Sequence, residues 1–495
     1  MTAAAATRDG PAVTDRGAIE LLRTALADAG YDEDGLAAIG IGEPLRPESA
    51  ELPYHELGLV QAGRLGTLVR LFQLALPVAA GEAAGAIEPA PLDRLQVAGL
   101  LERVGDAVRA TVALAPVLGV LLASDWEPAA APPRRRDHVL GPSSPSRILA
   151  RLAGGDQVDS ALDLCTGSGL HALLAARRAR RVVATDLNPR ALRFAELNAA
   201  LNAVDIVETR EGSLFQPVAG ETFDAISANP PYVVSPEAEF AFRDGGLRGD
   251  AFSETLVRAL PAHLREGGTA HVLVSWVHQA DEDWATALRR WLDGSGCDAL
   301  LLHHVSQAPL EHANDQNRMH WRDPERYRDE LARWVAHLDD LGVERIAWGA
   351  VVLRKRTGGA NHVTALHLAL TACGPAAHHV RRLLDAQRAV AGLDANARLR
   401  VVSDARLEQT VAFRDGEGVL ERARLRLEDG LRLEIELDPQ VPKLLSLLDA
   451  GATVGEATAE AARALSGDGS TPERVASAAL ASIRLLLETG FLEAR

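Results

Sequence analysis

Two short stretches of this chain hold residue types that could do chemistry. Asn229-Pro230-Pro231-Tyr232 follows the strand-like run Phe223-Asp224-Ala225-Ile226-Ser227-Ala228. An amide or ring amine is a poor nucleophile because its lone pair is delocalised. Two hydrogen-bond acceptors can grip its N–H bonds and turn the lone pair toward an electrophilic carbon. The side-chain oxygen of Asn229 and the carbonyl of Pro230 are candidates for those acceptors. Pro230 and Pro231 each fix a backbone dihedral, which holds the acceptors in a near-attack arrangement. Tyr232, one of only four tyrosines, offers a ring on which a planar group can lie.

The second stretch lies upstream. The run Ala161-Leu162-Asp163-Leu164 leads into Cys165-Thr166-Gly167-Ser168-Gly169 and then a helical segment. Gly167 and Gly169 allow a sharp turn and let a nucleotide-like cofactor approach the backbone. The spacing Gly167-x-Gly169-x-x-Ala172 also meets part of the dinucleotide fingerprint, so NAD competes as the ligand. The next strand-like run ends at Thr185-Asp186-Leu187, where a carboxylate can accept bonds from both hydroxyls of a ribose. That suits NAD and S-adenosylmethionine equally. A third run leads to Glu211-Gly212-Ser213-Leu214-Phe215. In a methyltransferase an adenine would lie there, with Ser213 on its exocyclic amine and Leu214 against its face.

These residues need rigid elements to place them. From His138 to about Arg356 the pattern alternates strand and helix. Strands are expected at 160–164, 181–185, 205–209, 223–228, 268–276, 299–305 and 345–353, with helices such as 170–178 and 189–201 between them. Strands joined by helical crossovers imply a parallel sheet covered on both faces. The fold class expected is therefore α/β, with a Rossmann-like seven-stranded sheet. Between the last two strands lies a long segment with a helix at 324–341. An insert there would sit over the carboxyl ends of the strands.

The residues 138–276 resemble a class I S-adenosylmethionine-dependent methyltransferase, closest to the release-factor glutamine N5-methyltransferase type. The matching pieces are 161–169, Ala184-Thr185-Asp186, Glu211-Gly212-Ser213-Leu214-Phe215, Asn229-Pro230-Pro231-Tyr232-Val233 and the glycine-rich Asp244-Gly245-Gly246-Leu247-Arg248-Gly249. The resemblance implies methyl donation from S-adenosylmethionine to a nitrogen. In that family the tetrapeptide holds a glutamine amide. It makes Asn229, Pro230, Pro231 and Tyr232 the candidate catalytic residues. The candidate cofactor residues are Asp163, Cys165, Thr166, Gly167, Ser168, Gly169, Asp186, Leu187, Ser213, Leu214 and Asn229. The chain departs from the family in its length, in its insert, and in having Cys165 where glycine is usual. The same tetrapeptide occurs in enzymes that methylate adenine or guanine amino groups in RNA or DNA, so a base acceptor is the alternative to a protein or peptide acceptor.

The flanks read differently. Residues 1–130 are mostly helical, with strand-like runs at 107–114 and 118–123, an order that resembles a winged helix. A proline-rich linker with Arg134-Arg135-Arg136 separates them from the catalytic domain expected at 138–357. Residues 362–425 are weakly patterned. Beyond them a strand at 431–437 and helices at 441–448, 454–465 and 472–488 suggest an α+β, winged-helix-like C-terminal module spanning 362–495. The 495 residues suit two to four domains. A net charge of -16 argues against a protein that coats nucleic acid. Three cysteines without paired spacing fit a reducing cytoplasm. The start, Met1 to Pro11, has no apolar core, and no apolar run is long enough to span a membrane. His303, His304, His312 and His320, with Glu311 and Asp315, match no metal-ligand spacing, so no metal is expected.

Overall fold

The alternating apolar runs form a parallel sheet whose carboxyl ends carry the site. In chain order the elements are α1 (Ser144–Leu152), β1 (Val158–Leu164), α2 (Leu170–Ala176), β2 (Ala179–Asp186), α3 (Pro189–Leu201), β3 (Val207–Glu211), β4 (Phe223–Ala228), α4 (Ala251–Ala259), β5 (Leu264–His278), α5 (Thr286–Trp291), β6 (Cys297–Gln307), α6 (Pro309–Asn317), α7 (Pro324–Asp340), β7 (Arg345–Lys355) and β8 (Val363–His367). This computed structural model describes residues 10–11, 13, 15–42, 51–127, 135–236, 243, 248–356, 358, 360–414, 417–438, 440–465 and 471–495. All seven strands expected from the sequence are present, and β8 is an addition from the weakly patterned region. The chain divides into two units: Met1–Leu149, Asp156–Ser295 and Ser306–Val351 form one, while Ala150–Gly155, Gly296–Val305 and Val352–Arg495 form the other.

In the first unit the strands run in the order β3-β2-β1-β4-β5, each pair parallel, with β7 beside β5. The order reverses between β1 and β4. At such a switch point the carboxyl ends of the strands part and leave a crevice for a ligand. The inner strands β2 and β5 are apolar along their middles, as strands covered on both faces must be, whereas the edge strand β3 is polar. Val182, Val183 and Ala184 of β2 and Val272, Leu273 and Val274 of β5 are all fully buried.

The N-terminal residues form helices at Arg16–Asp28, Glu33–Ala38, Leu52–Leu59, Gly63–Phe72, Ala80–Ile87 and Leu92–Val97. A three-stranded antiparallel sheet follows from Val78–Ala79, Leu101–Val104 and Ala107–Ala110, and then a hairpin of Ala113–Val117 with Val120–Ser124. The single strand expected at 107–114 is broken at Thr111, whose N–H turns back to the Leu100 carbonyl at 3.0 Å. The core of these helices takes in Ala191, Phe194, Leu197 and Leu201 of α3. In the same helix Asn198 pairs with both backbone groups of Ala123, at 2.7 and 2.9 Å, and Asn202 does the same with Leu121 at 2.9 and 2.7 Å. Spaced four apart, the two amides share one helix face and act as a surrogate strand edge.

In the second unit β6 and β8 pair in parallel, from Ala299↔Val363 to His303↔His367. A helix spans Ala377–Ala391, and a three-stranded antiparallel sheet is made by Ala405–Arg414, Glu417–Leu427 and Glu434–Leu437. The strand expected at 431–437 is thus the third of a meander whose hairpin the sequence reading did not identify. The helices Val441–Asp449, Val454–Leu465 and Pro472–Glu488 stand where expected. They close an apolar core around Leu445, Leu448, Ile483 and Phe491.

Candidate active site

The carboxyl end of β1 runs straight into the glycine turn. Cys165, at φ 58°, and Gly167, at φ 53°, both take left-handed conformations, and Gly169 opens α2 at φ 85°. A Cβ at Gly169 would lie 3.0 Å from Cα and Cβ of Ala195, so a side chain there would press on α3 as well as strain a left-handed backbone. A Cβ at Gly167 would meet nothing within 4 Å. The backbone there borders open space that a ligand can enter.

Asp163 braces this turn. Thr166 Oγ1 donates to Asp163 Oδ2 at 2.6 Å, the Ala172 N–H donates to the same oxygen at 2.9 Å, and Ser227 Oγ reaches Oδ1 at 3.3 Å. Asp186, at the end of β2, accepts from the Gly167 N–H at 2.9 Å and from the Asn188 N–H at 2.8 Å. The turn and the second carboxylate are therefore one unit. Behind them Asn198 Nδ2 donates to the Ser168 carbonyl at 2.7 Å. Leu187 projects beside Asp186 and is 66% exposed, a large apolar face left open at the crevice. Ser213 and half-buried Leu214, at φ 47°, sit in the turn after β3, which the Gly212 N–H ties to the Asp186 carbonyl at 3.0 Å. The structure thus brings 163–169, 186–187 and 213–214 to one end of the sheet.

Burial pushes the Asp163 carboxyl up to about 7, with the nearby Asp186 charge adding to it. Burial also raises Asp186. It raises the Cys165 thiol well above its ordinary value, so Cys165 lines the turn as a neutral group. A cation brought near these carboxyls would favour their ionised forms, and an anion would oppose them. The two carboxyls disfavour a pyrophosphate, and the Ala172 N–H that a pyrophosphate would need is already taken by Asp163. The crevice therefore suits S-adenosylmethionine, which carries a sulfonium, better than NAD.

The tetrapeptide stands at the carboxyl end of β4, the neighbour of β1 across the switch point. Asn229 Nδ2 donates to Ser146 Oγ in α1 at 3.2 Å. Among the described residues no donor reaches Asn229 Oδ1. Pro230 is buried, and Pro231 and Tyr232 are half-buried. Ser275 Oγ, at the end of β5, donates to the Tyr232 carbonyl. The Tyr232 ring lies 6.3 Å from that of Trp348 in β7, tilted at 42° to it. Burial raises the Tyr232 hydroxyl, which stays a neutral phenol.

The insert reaches this loop. His312 of α6 bonds to the Val234 carbonyl at 3.0 Å. Val234 packs with Leu338 of α7 and with Val343 and Ile346. The Asp244–Leu247 part of the glycine-rich loop lies outside the described residues, as do Pro128–Arg134 of the linker and the first nine residues. Of the histidines noted in the sequence, His303 pairs with His367 in the second unit, Nδ1 to Nδ1 at 2.6 Å. Among the described residues no group of three or more His, Cys, Asp or Glu could hold a metal. Sequence reasoning missed Ser146, Ser275, Trp348, His312 and Asn198. Each is distant in the chain from the residue it holds, and only Asn198, spaced four from Asn202, carried a local signal.

Comparison with known proteins bears on this site. The family described as "Methyltransferase small domain" matches residues 144–288, and a domain of unknown function (DUF7059) matches residues 47–111. A protein of Methanocaldococcus jannaschii named as a protein N5-glutamine methyltransferase is 34% identical over 145 residues, covering 28% of this chain and 72% of that protein. A release factor glutamine methyltransferase of Xylella fastidiosa is 34% identical over 151 residues, covering 28% of this chain and 52% of that protein. A ribosomal protein uL3 glutamine methyltransferase of Bradyrhizobium diazoefficiens is likewise 34% identical over 151 residues, covering 28% and 47%. The chain thus spans about half the length of the two bacterial proteins.

Proposed function

The chain belongs to the class I S-adenosylmethionine-dependent methyltransferases of the glutamine N5 type, and from that premise we propose that it methylates the side-chain amide nitrogen of a glutamine in a protein. The observation that carries this reading is the state of Asn229. Its amide is fixed through Nδ2 to Ser146, which leaves Oδ1 to accept a hydrogen bond from an incoming N–H. The Pro230 carbonyl supplies the second acceptor. Together they grip both hydrogens of a carboxamide and turn its nitrogen lone pair out of conjugation. Tyr232, braced by Ser275 and Trp348, forms the wall on which the flat amide lies.

In this reading Asp163 braces the glycine turn, Gly167 gives the cofactor access to the backbone, Asp186 takes the ribose, and Leu187, Ser213 and Leu214 enclose the base. When bound, S-adenosylmethionine supplies a methyl carbon already activated by its sulfonium. The reaction forms one C–N bond and breaks one C–S bond. The amide nitrogen loses a proton to water, and S-adenosylhomocysteine leaves. Orientation supplies most of the acceleration, because neither a covalent intermediate nor a strong base is required of the residues present. Related proteins act on release factors and a ribosomal protein by name, which supports a protein of the translation machinery as acceptor and the cytoplasm as the place of action. Among the described residues no helix is long and apolar enough to cross a membrane, and Cys165, Cys297 and Cys373 form no disulfide.

The test is transfer of label from radiolabelled S-adenosylmethionine into a cell extract, split between protease and nuclease. Label removed by protease, and recovered as N5-methylglutamine, is the expected result. Label removed by nuclease alone makes the acceptor a nucleic-acid base. The Asn229→Ala variant is expected to bind cofactor normally by calorimetry and to lose at least about a hundredfold in turnover, the loss of an interaction made in the transition state. Near-normal turnover would remove Asn229 from the acceptor site.

A further inference from the structure

A carboxamide has two ends of nearly equal shape. Asn229 can serve as an acceptor only if Oδ1, and not Nδ2, faces the substrate. Something outside the tetrapeptide must make that choice, and β4 itself does not supply it. The one side chain bonded to the Asn229 amide among the described residues is Ser146, in the first turn of α1.

Ser146 is itself held in a chain of two hydroxyls. Its backbone N–H donates to Ser143 Oγ at 3.3 Å, and its own Oγ lies 2.9 Å from that same oxygen. Ser143 also receives the Arg147 N–H on its carbonyl at 3.0 Å, so it caps α1 and its hydroxyl is fixed there. Either hydroxyl can donate across that contact; because Ser146 Oγ accepts from Asn229 Nδ2, the order that fits is Ser146 donating to Ser143 Oγ, and the Ser146 hydroxyl hydrogen then points away from Asn229. A lone pair of Ser146 Oγ is then what faces the amide. A lone pair accepts from Nδ2–H and repels Oδ1.

We infer that Ser146 is a positioning residue that sets the flip of the Asn229 amide, and thereby makes the site select an acceptor that presents N–H bonds. The order of donation runs from Asn229 Nδ2 to Ser146 Oγ to Ser143 Oγ. Its far end is the cap of a helix, so the positions of both hydroxyls are set by backbone that is already fixed. A carbonyl or ether oxygen brought to the same place meets another oxygen. This inference rests on the acceptor reading above and sharpens it, because it assigns the selection of nitrogen to a residue outside the tetrapeptide.

The test uses the full chain and the protease-sensitive acceptor of the labelled extract, over a dilution series. Ser146→Ala removes the lone pair and frees the amide to flip. Ser146→Thr keeps the hydroxyl. The expected result is a fall in kcat of about tenfold or more for Ser146→Ala, with S-adenosylmethionine affinity and melting temperature unchanged and with Ser146→Thr near the wild type. Ser143→Ala, which removes the acceptor that orients the hydroxyl, is expected to fall between them. Wild-type turnover in Ser146→Ala overturns the inference. So does a threonine variant as slow as the alanine one, or a parallel loss of cofactor affinity, which would mark Ser146 as structural. If the wild type labels no protein, the acceptor reading fails first and this inference with it, and that outcome is distinguishable because it does not depend on Ser146.

Discussion

Asp163 shows what a single residue can reveal about the ligand. In the free protein its carboxyl titrates near 7, driven up by burial. Its folded value lies above its unfolded one, so the empty protein loses stability as pH rises from about 4 through about 7. A cation bound in the crevice favours the ionised form and lowers that value. Cofactor binding should therefore release a proton below pH 7. Affinity for S-adenosylmethionine is expected to rise by up to about tenfold per pH unit below 7 and to level off above it. Asp163→Asn should flatten the profile. Calorimetry across pH 5.5–8.5 decides: an affinity that does not change with pH in the wild type would separate Asp163 from the charge of the ligand. At this scale the sequence was informative wherever a residue type is demanded by local geometry. Gly167, Gly169 and Asp186 could be read because a turn at a strand end needs them. Ser146, Ser275 and Trp348 could not, because serines and a tryptophan elsewhere in the chain announce nothing until folding brings them to Asn229 and Tyr232.

Among the elements α3 does the most positioning. At its start Asn188 caps the helix, and its N–H bonds to Asp186. Two residues on, Arg190 forks onto Asp125 at 2.6 and 2.7 Å and reaches the Asp137 carbonyl at 3.2 Å. In its last third, Asn198 joins the Ser168 carbonyl to both backbone groups of Ala123. Replacing Asn198 with leucine keeps the volume and strands these three groups in a fully buried place. The expected loss is about 3 kcal/mol of folding stability, since each unsatisfied buried group costs about 1–3 kcal/mol. A weaker affinity for S-adenosylmethionine should accompany it, because the glycine turn loses its rear support. Urea denaturation with the wild-type midpoint would contradict the role. The sequence showed α3 as a helix through its apolar period, but not what its polar face met. The hairpin of 405–427 was hidden for a different reason. Leu407, Val411, Phe413 and Val419 are exposed, so the apolar alternation that marks a strand does not track a buried face there. The later residues Ala423, Leu425 and Leu427 do alternate and are buried.

For the whole molecule the relation of the N-terminal region to the sheet matters most. Phe194, Leu197 and Leu201 are buried to within about one percent, and the core that buries them includes Leu22, Leu26, Leu68 and Phe72. Each large apolar side chain returned to water loses about 1.5–3 kcal/mol. A chain beginning at residue 135 would expose three of them on one face of α3. It would also take Asp125, the closer ion-pair partner, from Arg190 and leave it Asp137 alone. Those losses together match the whole stability of an ordinary domain, about 5–15 kcal/mol. The truncated protein is therefore expected to be insoluble, or compact without fixed tertiary packing, and not to bind S-adenosylmethionine. The measurement is near-ultraviolet circular dichroism and cofactor calorimetry on residues 135–495 against the full chain. A truncated chain with native packing and native affinity would show that the first 134 residues are an addition to a self-sufficient catalytic sheet. The expected collapse would instead make them part of the wall behind the cofactor turn, reached through Asn198 and Arg190. The helical first region and the sheet are then one folding unit, although the proline-rich linker between them reads in the sequence as a boundary.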